Sequence, residues 1–132
     1  MGWLPDIPLI MRLRGAMYGV AMQHCGRNFQ VAASATLRGL ENIHCGDDIY
    51  VGPNTFILAR KRIEINSQVL VAMNVVVVDA NHGKQNNSYR FHRGSAKDII
   101  IGRGVWIAAN SVVVAGAIIN DGTLIPPCSV VR

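Results

Sequence analysis

The chain has 132 residues and a formal net charge of +5 at pH 7, and 50% of its residues are hydrophobic while 16% are charged. This length fits a single core, and the composition excludes a disordered chain and favours an oligomer over a small monomer. The positive charge favours anionic partners, but no helix-turn-helix, zinc-finger or aromatic RNA-reading pattern accompanies it, so we expect no nucleic-acid ligand.

The first 24 residues are predicted to form a lead-in segment that precedes a repeat domain over residues 25–132. Charged residues and prolines interrupt the apolar stretches of this segment well short of a membrane span. At most, we expect residues 1–23 to make a peripheral contact with a membrane surface. The three cysteines of the chain match neither a metal-binding spacing nor a disulfide framework, and no signal peptide is recognisable, so we expect a cytoplasmic protein.

Core-type residues then recur in triplets, six residues apart within a triplet and twenty residues apart between triplets. The triplets are Cys25, Val31 and Leu37, then Cys45, Val51 and Ile57, then Ile65, Val71 and Val77. A period of six fits a short strand followed by a bend, and it fits neither an α-helix nor one long strand. Three such units close one triangular coil, in which the cysteines become stacked core residues.

The same phase predicts a row of stacked corner residues, and these are Ser34, Asn54, Asn74 and Asn110. We interpret the row as a corner ladder, because asparagine tolerates the left-handed backbone that a sharp bend requires. A row of ligand-binding amides is the alternative interpretation.

The period breaks after Val77, and a polar stretch over residues 79–98 predicts a loop that leaves the regular coil. His82 lies at the root of this loop, within a few residues of a core strand. Either Asp79 or a backbone carbonyl is available there to fix the tautomer of the imidazole, as a general base requires. An ordinary solvated histidine is the alternative. His92 lies farther out and is interpreted as an ordinary loop residue.

The repeat resumes after the loop and continues to the end of the chain. Aliphatic residues stand at Ile101, Ile107, Val113, Ile119, Ile125 and Val131, and small or β-branched residues follow four positions later at Val105, Ser111, Ala117, Thr123 and Ser129. Residues suited to positive φ stand three positions after the aliphatic ones, at Gly104, Asn110, Gly116 and Gly122. The sequence therefore predicts an all-β fold, a parallel β-helix of about five stacked coils with one extended loop.

The run Ile101-Gly102-Arg103-Gly104-Val105-Trp106-Ile107, with the hexads that follow it, and the run Val77-Val78-Asp79-Ala80-Asn81-His82 before a loop resemble the hexapeptide-repeat acetyltransferases, above all the sugar, polysaccharide and xenobiotic O-acetyltransferases. The resemblance covers residues 25–132. It implies a left-handed coil, although connections between parallel strands are usually right-handed. It also implies a homotrimer with active sites between subunits, and transfer of an acetyl group from acetyl-CoA to a hydroxyl of a sugar, polysaccharide or other small acceptor.

Site residues follow from the same resemblance. His82 is implied to be the catalytic base, which takes the proton of the acceptor hydroxyl. Trp106 is implied to line the site, and the backbone N–H of Ala109 to face the thioester carbonyl. Pro127 and Arg132 align with positions that hold the CoA arm. No metal is needed for this chemistry.

The acceptor is less well defined by the resemblance. Acceptor contacts of the sugar-modifying relatives align with Gly52 and Arg60, where those relatives carry Asn and Asp, and Asn54 is a third candidate contact. Relatives also commonly have Gly at the position of Ala108 and a Gly-Ala-Gly run at residues 126–128, and they continue beyond the last residue of this sequence with a tail that helps to bind CoA.

Two other functions are compatible with a hexapeptide β-helix. A trimeric zinc carbonic anhydrase needs three imidazoles, two of them close together on the later coils, and the sequence has no histidine after His92. A non-catalytic β-helix, either a scaffold or a degenerate relative of the acetyltransferases, is the second, because a fold by itself does not define an activity.

Overall fold

The computed structural model describes residues 3–132, which form one α-helix, one 3-10 turn (Leu40–Asn42) and seventeen short strands. The helix is α1 (Pro8–Val20). The strands of the first half are β1 (His24–Cys25), β2 (Phe29–Val31), β3 (Thr36–Arg38), β4 (Ile43–Cys45), β5 (Ile49–Val51), β6 (Phe56–Leu58), β7 (Ile63–Ile65), β8 (Leu70–Val71) and β9 (Val76–Val78). Those of the second half are β10 (Ala80–Asn81), β11 (Ser95–Ala96), β12 (Ile99–Ile101), β13 (Trp106–Ile107), β14 (Val112–Val113), β15 (Ile118–Ile119), β16 (Leu124–Ile125) and β17 (Val130–Val131).

Fifteen of these strands form three parallel five-stranded sheets, which are the faces of a triangular prism. The first face is β1-β4-β7-β12-β15, the second is β2-β5-β8-β13-β16, and the third is β3-β6-β9-β14-β17. We call the bends that follow the first, second and third faces the first, second and third corners. Each coil contributes one strand to each face, so five strands per face confirm the predicted parallel β-helix of about five coils.

The strand register confirms the periodic phase of the sequence. Cys25 pairs with Cys45, Val31 with Val51 and Leu37 with Ile57, which are the predicted steps of twenty residues. The aliphatic members of the repeat point inward, and most are fully buried; they include Val31, Val51, Ile57, Ile65, Val71, Val77, Ile101, Ile107 and Val113. Each such side chain contributes roughly 1.5–3 kcal/mol when it is removed from water. One continuous apolar column therefore holds the coils together.

Left-handed backbone at the corners confirms the predicted bends. Gly104, Asn110, Gly116 and Gly122 have φ values of 69°, 62°, 87° and 68°. The second corner carries the predicted ladder: Asn54 N–H donates to Ser34 Oγ at 2.9 Å, and the N–H groups of Asn74 and Asn110 donate to the preceding coil. Cys128 occupies the same corner position with φ 60°, although a cysteine has no side-chain advantage there.

The helix α1 lies within the predicted lead-in segment and packs on the first coil. A Cβ at Gly15 would lie 1.8 Å from the Phe29 carbonyl oxygen, so the helix backbone and β2 are in direct contact. Met11 joins the hydrophobic core. The buried Arg14 pairs with Asp6 at 3.0 Å, so part of this segment belongs to the folded body.

Within residues 3–132 no helix is long and apolar enough to cross a membrane.

Candidate active site at the third corner

The predicted loop leaves the prism at the third corner, immediately after β9, and it is closed at its base. Its two ends pair as the antiparallel strands β10 and β11, with Ala80 opposite Ala96 and Asn81 opposite Ser95. The Lys97 N–H donates to the Asp79 carbonyl at 2.9 Å. The backbone on either side of the loop root is therefore fixed, and His82 follows directly after β10.

Asp79 is fully buried beneath this root, and its carboxylate binds backbone. Oδ1 accepts a hydrogen bond from the Arg60 N–H at 2.8 Å, and Oδ2 accepts from the N–H groups of Lys61 and Arg62 at 2.8 and 2.9 Å. The hypothesis that Asp79 fixes the tautomer of His82 is therefore wrong, because both oxygens are committed to the corner between β6 and β7. Asp79 instead fastens the loop root to the preceding coil.

His82 lines a small surface pocket of about 140 Å³ at this corner. Arg60, one of the predicted acceptor contacts, lies in the same pocket, so the structure brings these two residues together. The complete lining is Leu58, Arg60, Val78, Ala80, Asn81, His82 and Arg93. The imidazole of His82 is exposed to solvent in the single chain. Arg93 was not singled out from the sequence, where nothing distinguishes it from other loop cations.

His92 is more ordered than the sequence suggested. Its Nδ1 accepts a hydrogen bond from the Gly94 N–H at 2.9 Å, which leaves the proton of the neutral ring on Nε2. A Cβ at Gly83 would lie 2.0 Å from the same nitrogen, so the ring rests on the Gly83 backbone. The returning limb of the loop is thus packed against the segment that carries His82.

The remaining residues implied by the resemblance lie elsewhere on the prism. Trp106 projects from the second face and is 49% exposed. Ala109 and Pro127 stand one above the other at the second corner, where the Cys128 N–H donates to the Ala109 carbonyl at 3.0 Å. Within residues 3–132 the Ala109 N–H itself has no hydrogen-bond acceptor.

Two of the predicted acceptor contacts also belong to the second corner. Asn54 is exposed there, whereas Gly52 is buried against the next coil: a Cβ at Gly52 would lie 2.9 Å from the carbonyl carbon of Ala72. Arg132 follows β17 and is exposed. A single chain therefore separates His82 and Arg60 from Ala109 and Asn54 by the full width of the third face.

A second surface pocket lies on the first face, where His24 and His44 point outward. His44 Nε2 lies 2.8 Å from Gln23 Oε1. In the part of the chain that the structure describes, no group of three His, Cys, Asp or Glu residues could hold a metal ion. Burial raises the pKa of the Cys25 and Cys45 thiols, which suits core residues and not nucleophiles.

Comparisons with known proteins agree with this architecture. Residues 98–132 match the bacterial transferase hexapeptide model, described as six repeats. The chain is 30% identical over 122 residues to the candidate lipopolysaccharide biosynthesis O-acetyl transferase WbbJ of Escherichia coli K12, covering 81% of this chain and 60% of that protein. It is 30% identical over 90 residues to the galactoside O-acetyltransferase of the same strain, covering 68% of this chain and 44% of that protein.

Among solved structures, the fold is similar to that of a hexapeptide-repeat acetyltransferase from Vibrio cholerae O1 biovar eltor, crystallised with acetyl-CoA. The TM-score is 0.75 at 22% identity, over 91% of this chain and 66% of that one. The chain thus spans about half to two thirds of the length of these three proteins. The three-faced parallel prism, the hexad phase and these matches show that the chain belongs to the hexapeptide-repeat family, whose left-handed β-helix it shares with the O-acetyltransferases it resembles.

Proposed function

We propose that this protein transfers an acetyl group from acetyl-CoA to a hydroxyl of a sugar, polysaccharide or other small acceptor, with His82 as the general base. The observation that carries the proposal is the position of His82, which follows a fixed strand pair and opens onto a pocket with Arg60. The names of the two E. coli relatives support O-acetyl transfer.

The reaction needs two groups from the protein, a general base and an oxyanion donor. An alcohol, whose pKa is roughly 15 like that of bulk water, is a weak nucleophile at neutral pH. A nitrogen of His82 takes the hydroxyl proton as the oxygen attacks the thioester carbonyl carbon, and the Ala109 N–H donates to the oxyanion that forms. The C–S bond then breaks, and the thiolate of CoA takes the proton from the imidazolium. An ester and free CoA are the products.

This assignment requires more than one copy of the chain, because His82 and Ala109 lie at different corners of one prism. The second face supports such an assembly. Leu70, Trp106 and Leu124 form one outward column on neighbouring strands, and they are 43%, 49% and 52% exposed. Exposed apolar columns of this kind are typical of subunit interfaces. We therefore propose a homotrimer in which the third corner of one copy faces the second corner of the next.

A complementation experiment tests both the pairing and the roles. Pro53 and Pro127 occupy the corner position equivalent to Ala109, so Ala109→Pro removes the N–H donor and keeps a backbone that proline already adopts there. Light scattering should give the molar mass of three subunits. Mixing unfolded His82→Ala and Ala109→Pro chains and refolding them together should restore part of the activity that each variant lacks. Absence of any restored activity in mixed oligomers would contradict a site shared between copies.

His82→Ala tests the general base directly. Turnover should fall roughly 10²- to 10⁴-fold while acetyl-CoA still binds, because general-base assistance is lost and the CoA contacts are retained. His44→Ala is the matched control, since it removes an outward imidazole on the first face, outside the loop that carries His82. Unchanged turnover in His82→Ala would remove this residue from the mechanism.

Acetyl-CoA binding separates catalysis from the scaffold alternative. Ligand at about one hundred times its dissociation constant should stabilise the folded protein by roughly 2.7 kcal/mol. No thermal shift at millimolar acetyl-CoA would favour a non-catalytic β-helix and refute the proposed function.

The helix α1 supports the peripheral membrane contact proposed for residues 1–23. Leu9, Leu13, Met17 and Val20 project from its outer side and are 63%, 49%, 61% and 89% exposed. Co-sedimentation with lipid vesicles measures the contact, and Leu13→Glu with Met17→Glu should abolish it. We also propose that the protein acts in the cytoplasm, because all three of its cysteines are free thiols.

A further inference from the structure

The pocket beside His82 has a one-sided charge. Arg60 and Arg93 both line it, and none of its lining residues is acidic. Asp79 lies close behind, but its carboxylate is fully buried and bound to three backbone N–H groups. It is therefore not available to pair with a guanidinium group in the pocket.

Neighbouring cations on the framework have partners of their own. Lys61 Nζ pairs with Asp98 Oδ1 at 3.3 Å, and Arg62 Nη2 pairs with Glu64 Oε2 at 2.9 Å. Arg60 immediately precedes these two residues in the sequence, and among residues 3–132 its side chain forms no ion pair. Two of the three consecutive cations at this corner therefore have carboxylate partners, and the third, Arg60, lines the pocket.

Two other cations of the loop contact aromatic rings. Lys84 lies over the ring of Tyr89 with its Nζ 5.7 Å from the centroid, and Arg90 lies over Phe91 at 5.2 Å. Arg93 has no such ring and, within the described chain, no carboxylate partner. It is the cation of the loop that reaches the pocket of His82.

The position of Arg93 is fixed from both sides. The preceding residue, His92, accepts a hydrogen bond from Gly94 and rests on Gly83. Gly94 adopts φ 72°, and a Cβ there would lie 1.7 Å from the Asn81 carbonyl oxygen. Only glycine permits this approach. The returning limb therefore holds Arg93 against the strand that leads to His82.

We infer that the acceptor carries a negatively charged group, a carboxylate or a phosphate, close to the hydroxyl that is acetylated; this inference rests on the proposed function. Guanidinium groups bind both oxyanions through paired hydrogen bonds. The phosphates of CoA are a poor alternative occupant, because the whole pantetheine arm separates them from the thioester that His82 must face. Arg60 and Arg93 are then specificity-determining residues for the acceptor.

Matched acceptors test the inference. Methyl galactoside, galacturonate and galactose 1-phosphate share one ring and differ in charge. With either the carboxylate or the phosphate compound, kcat/KM should exceed that of methyl galactoside by roughly 10-fold or more, as expected for charge-assisted hydrogen bonds. The compound that shows the preference identifies which oxyanion the pocket takes. High salt should reduce the preference, because the pocket is open to solvent.

Charge-removing variants assign the preference to the pocket. Arg60→Gln and Arg93→Gln should each reduce the ratio of anionic to neutral kcat/KM several-fold. Arg103→Gln is the control, because Arg103 is also exposed and without an ion pair among residues 3–132 but lies at the first corner. A loss of equal size in Arg103→Gln would show a general charge effect and overturn the inference.

Calorimetric titration with the same three sugars distinguishes failure of this inference from failure of the proposed function. Equal affinity or equal kcat/KM for neutral and anionic sugars would refute the inference of an anionic acceptor and would leave the proposed acetyl transfer unaffected. Binding of an anionic sugar that depends on both arginines supports it, whether or not transfer is fast. No binding of acetyl-CoA and no transfer to any sugar refutes the proposed function and this inference with it.

Discussion

Replacing Asp79 tests how the site is held, because this one carboxylate joins the loop root to the preceding coil. Its two oxygens accept three backbone hydrogen bonds of 2.8 to 2.9 Å. Asp79→Ala leaves three N–H groups without an acceptor and opens a small cavity in a fully buried position. We expect this variant to fold into the same prism with a loosened third corner.

The size of the effect follows from the bond count. A buried hydrogen bond to a charged group stabilises the fold by roughly 1.5–3 kcal/mol. In Asp79→Ala, water entering the vacated space accepts hydrogen bonds from some of the three backbone N–H groups, which reduces the loss. We therefore expect Asp79→Ala to lower the free energy of unfolding by about 3–4 kcal/mol. Asp79→Asn keeps one oxygen, which retains the bonds from Lys61 and Arg62, but it turns its amide N–H toward the Arg60 N–H. Its cost should be about half that of alanine.

Urea denaturation followed by circular dichroism measures these differences. Asp121→Ala is the control, since Asp121 accepts a single N–H bond, from Arg103 at 2.8 Å, at an exposed corner. Its cost should stay below about 1 kcal/mol. A cost under about 1 kcal/mol for Asp79→Ala, or equal costs for alanine and asparagine, would show that the three bonds do not stabilise the corner as argued.

The cysteines provide three further predictions. Cys128 has φ 60°, so Cys128→Asn should raise the free energy of unfolding by about 0.5–1 kcal/mol in urea titrations, while Cys128→Ala, which keeps a side chain with no preference for this backbone, should not. The Cys45 thiol is 1% exposed and burial raises its pKa, so it should resist Ellman's reagent until the protein unfolds. Because the unfolded thiol ionises near its ordinary value of 9.0 while the folded one stays protonated, the stability that depends on the Cys45 thiol is present below pH 9 and is lost as the pH rises above it. Rapid labelling of Cys45 in the native protein would contradict this argument. So would a difference in unfolding free energy between the parent and Cys45→Ala that stays constant as the pH rises above 9.

The repeat could be predicted from the sequence because it depends on local chemistry. An inward aliphatic residue every six positions and a residue suited to positive φ three positions later define strand and corner without reference to distant contacts. The same logic located the loop, since Val77 and Ile101 bound the only long break in the phase. Placing His82 at the root of that loop required no more than counting from the last core strand.

The partners of the site residues could not be predicted in this way. Asp79 was one of two groups expected to fix the tautomer of His82, the other being a backbone carbonyl. Its carboxylate instead binds N–H groups 17 to 19 residues earlier, because the third corner of the preceding coil lies beneath it. Arg93 and Arg60 meet in one pocket only because the returning limb of the loop folds back on Gly83. Neither contact has a sequence signal, since each depends on the length and path of an irregular segment.

The sequence by itself therefore determined the prism, its coil count and the place where a loop interrupts the repeat. Across the described residues, only the tertiary structure decided which cationic side chains lie unpaired beside His82 and which carboxylate binds backbone N–H groups. It also showed that one chain holds the proposed base and the proposed oxyanion donor at different corners. The physical reason is that the periodic pattern of buried residues depends only on which residue stands at each position of the repeat. Hydrogen bonds and ion pairs between coils depend on the register and on the loop path, which only the folded chain defines.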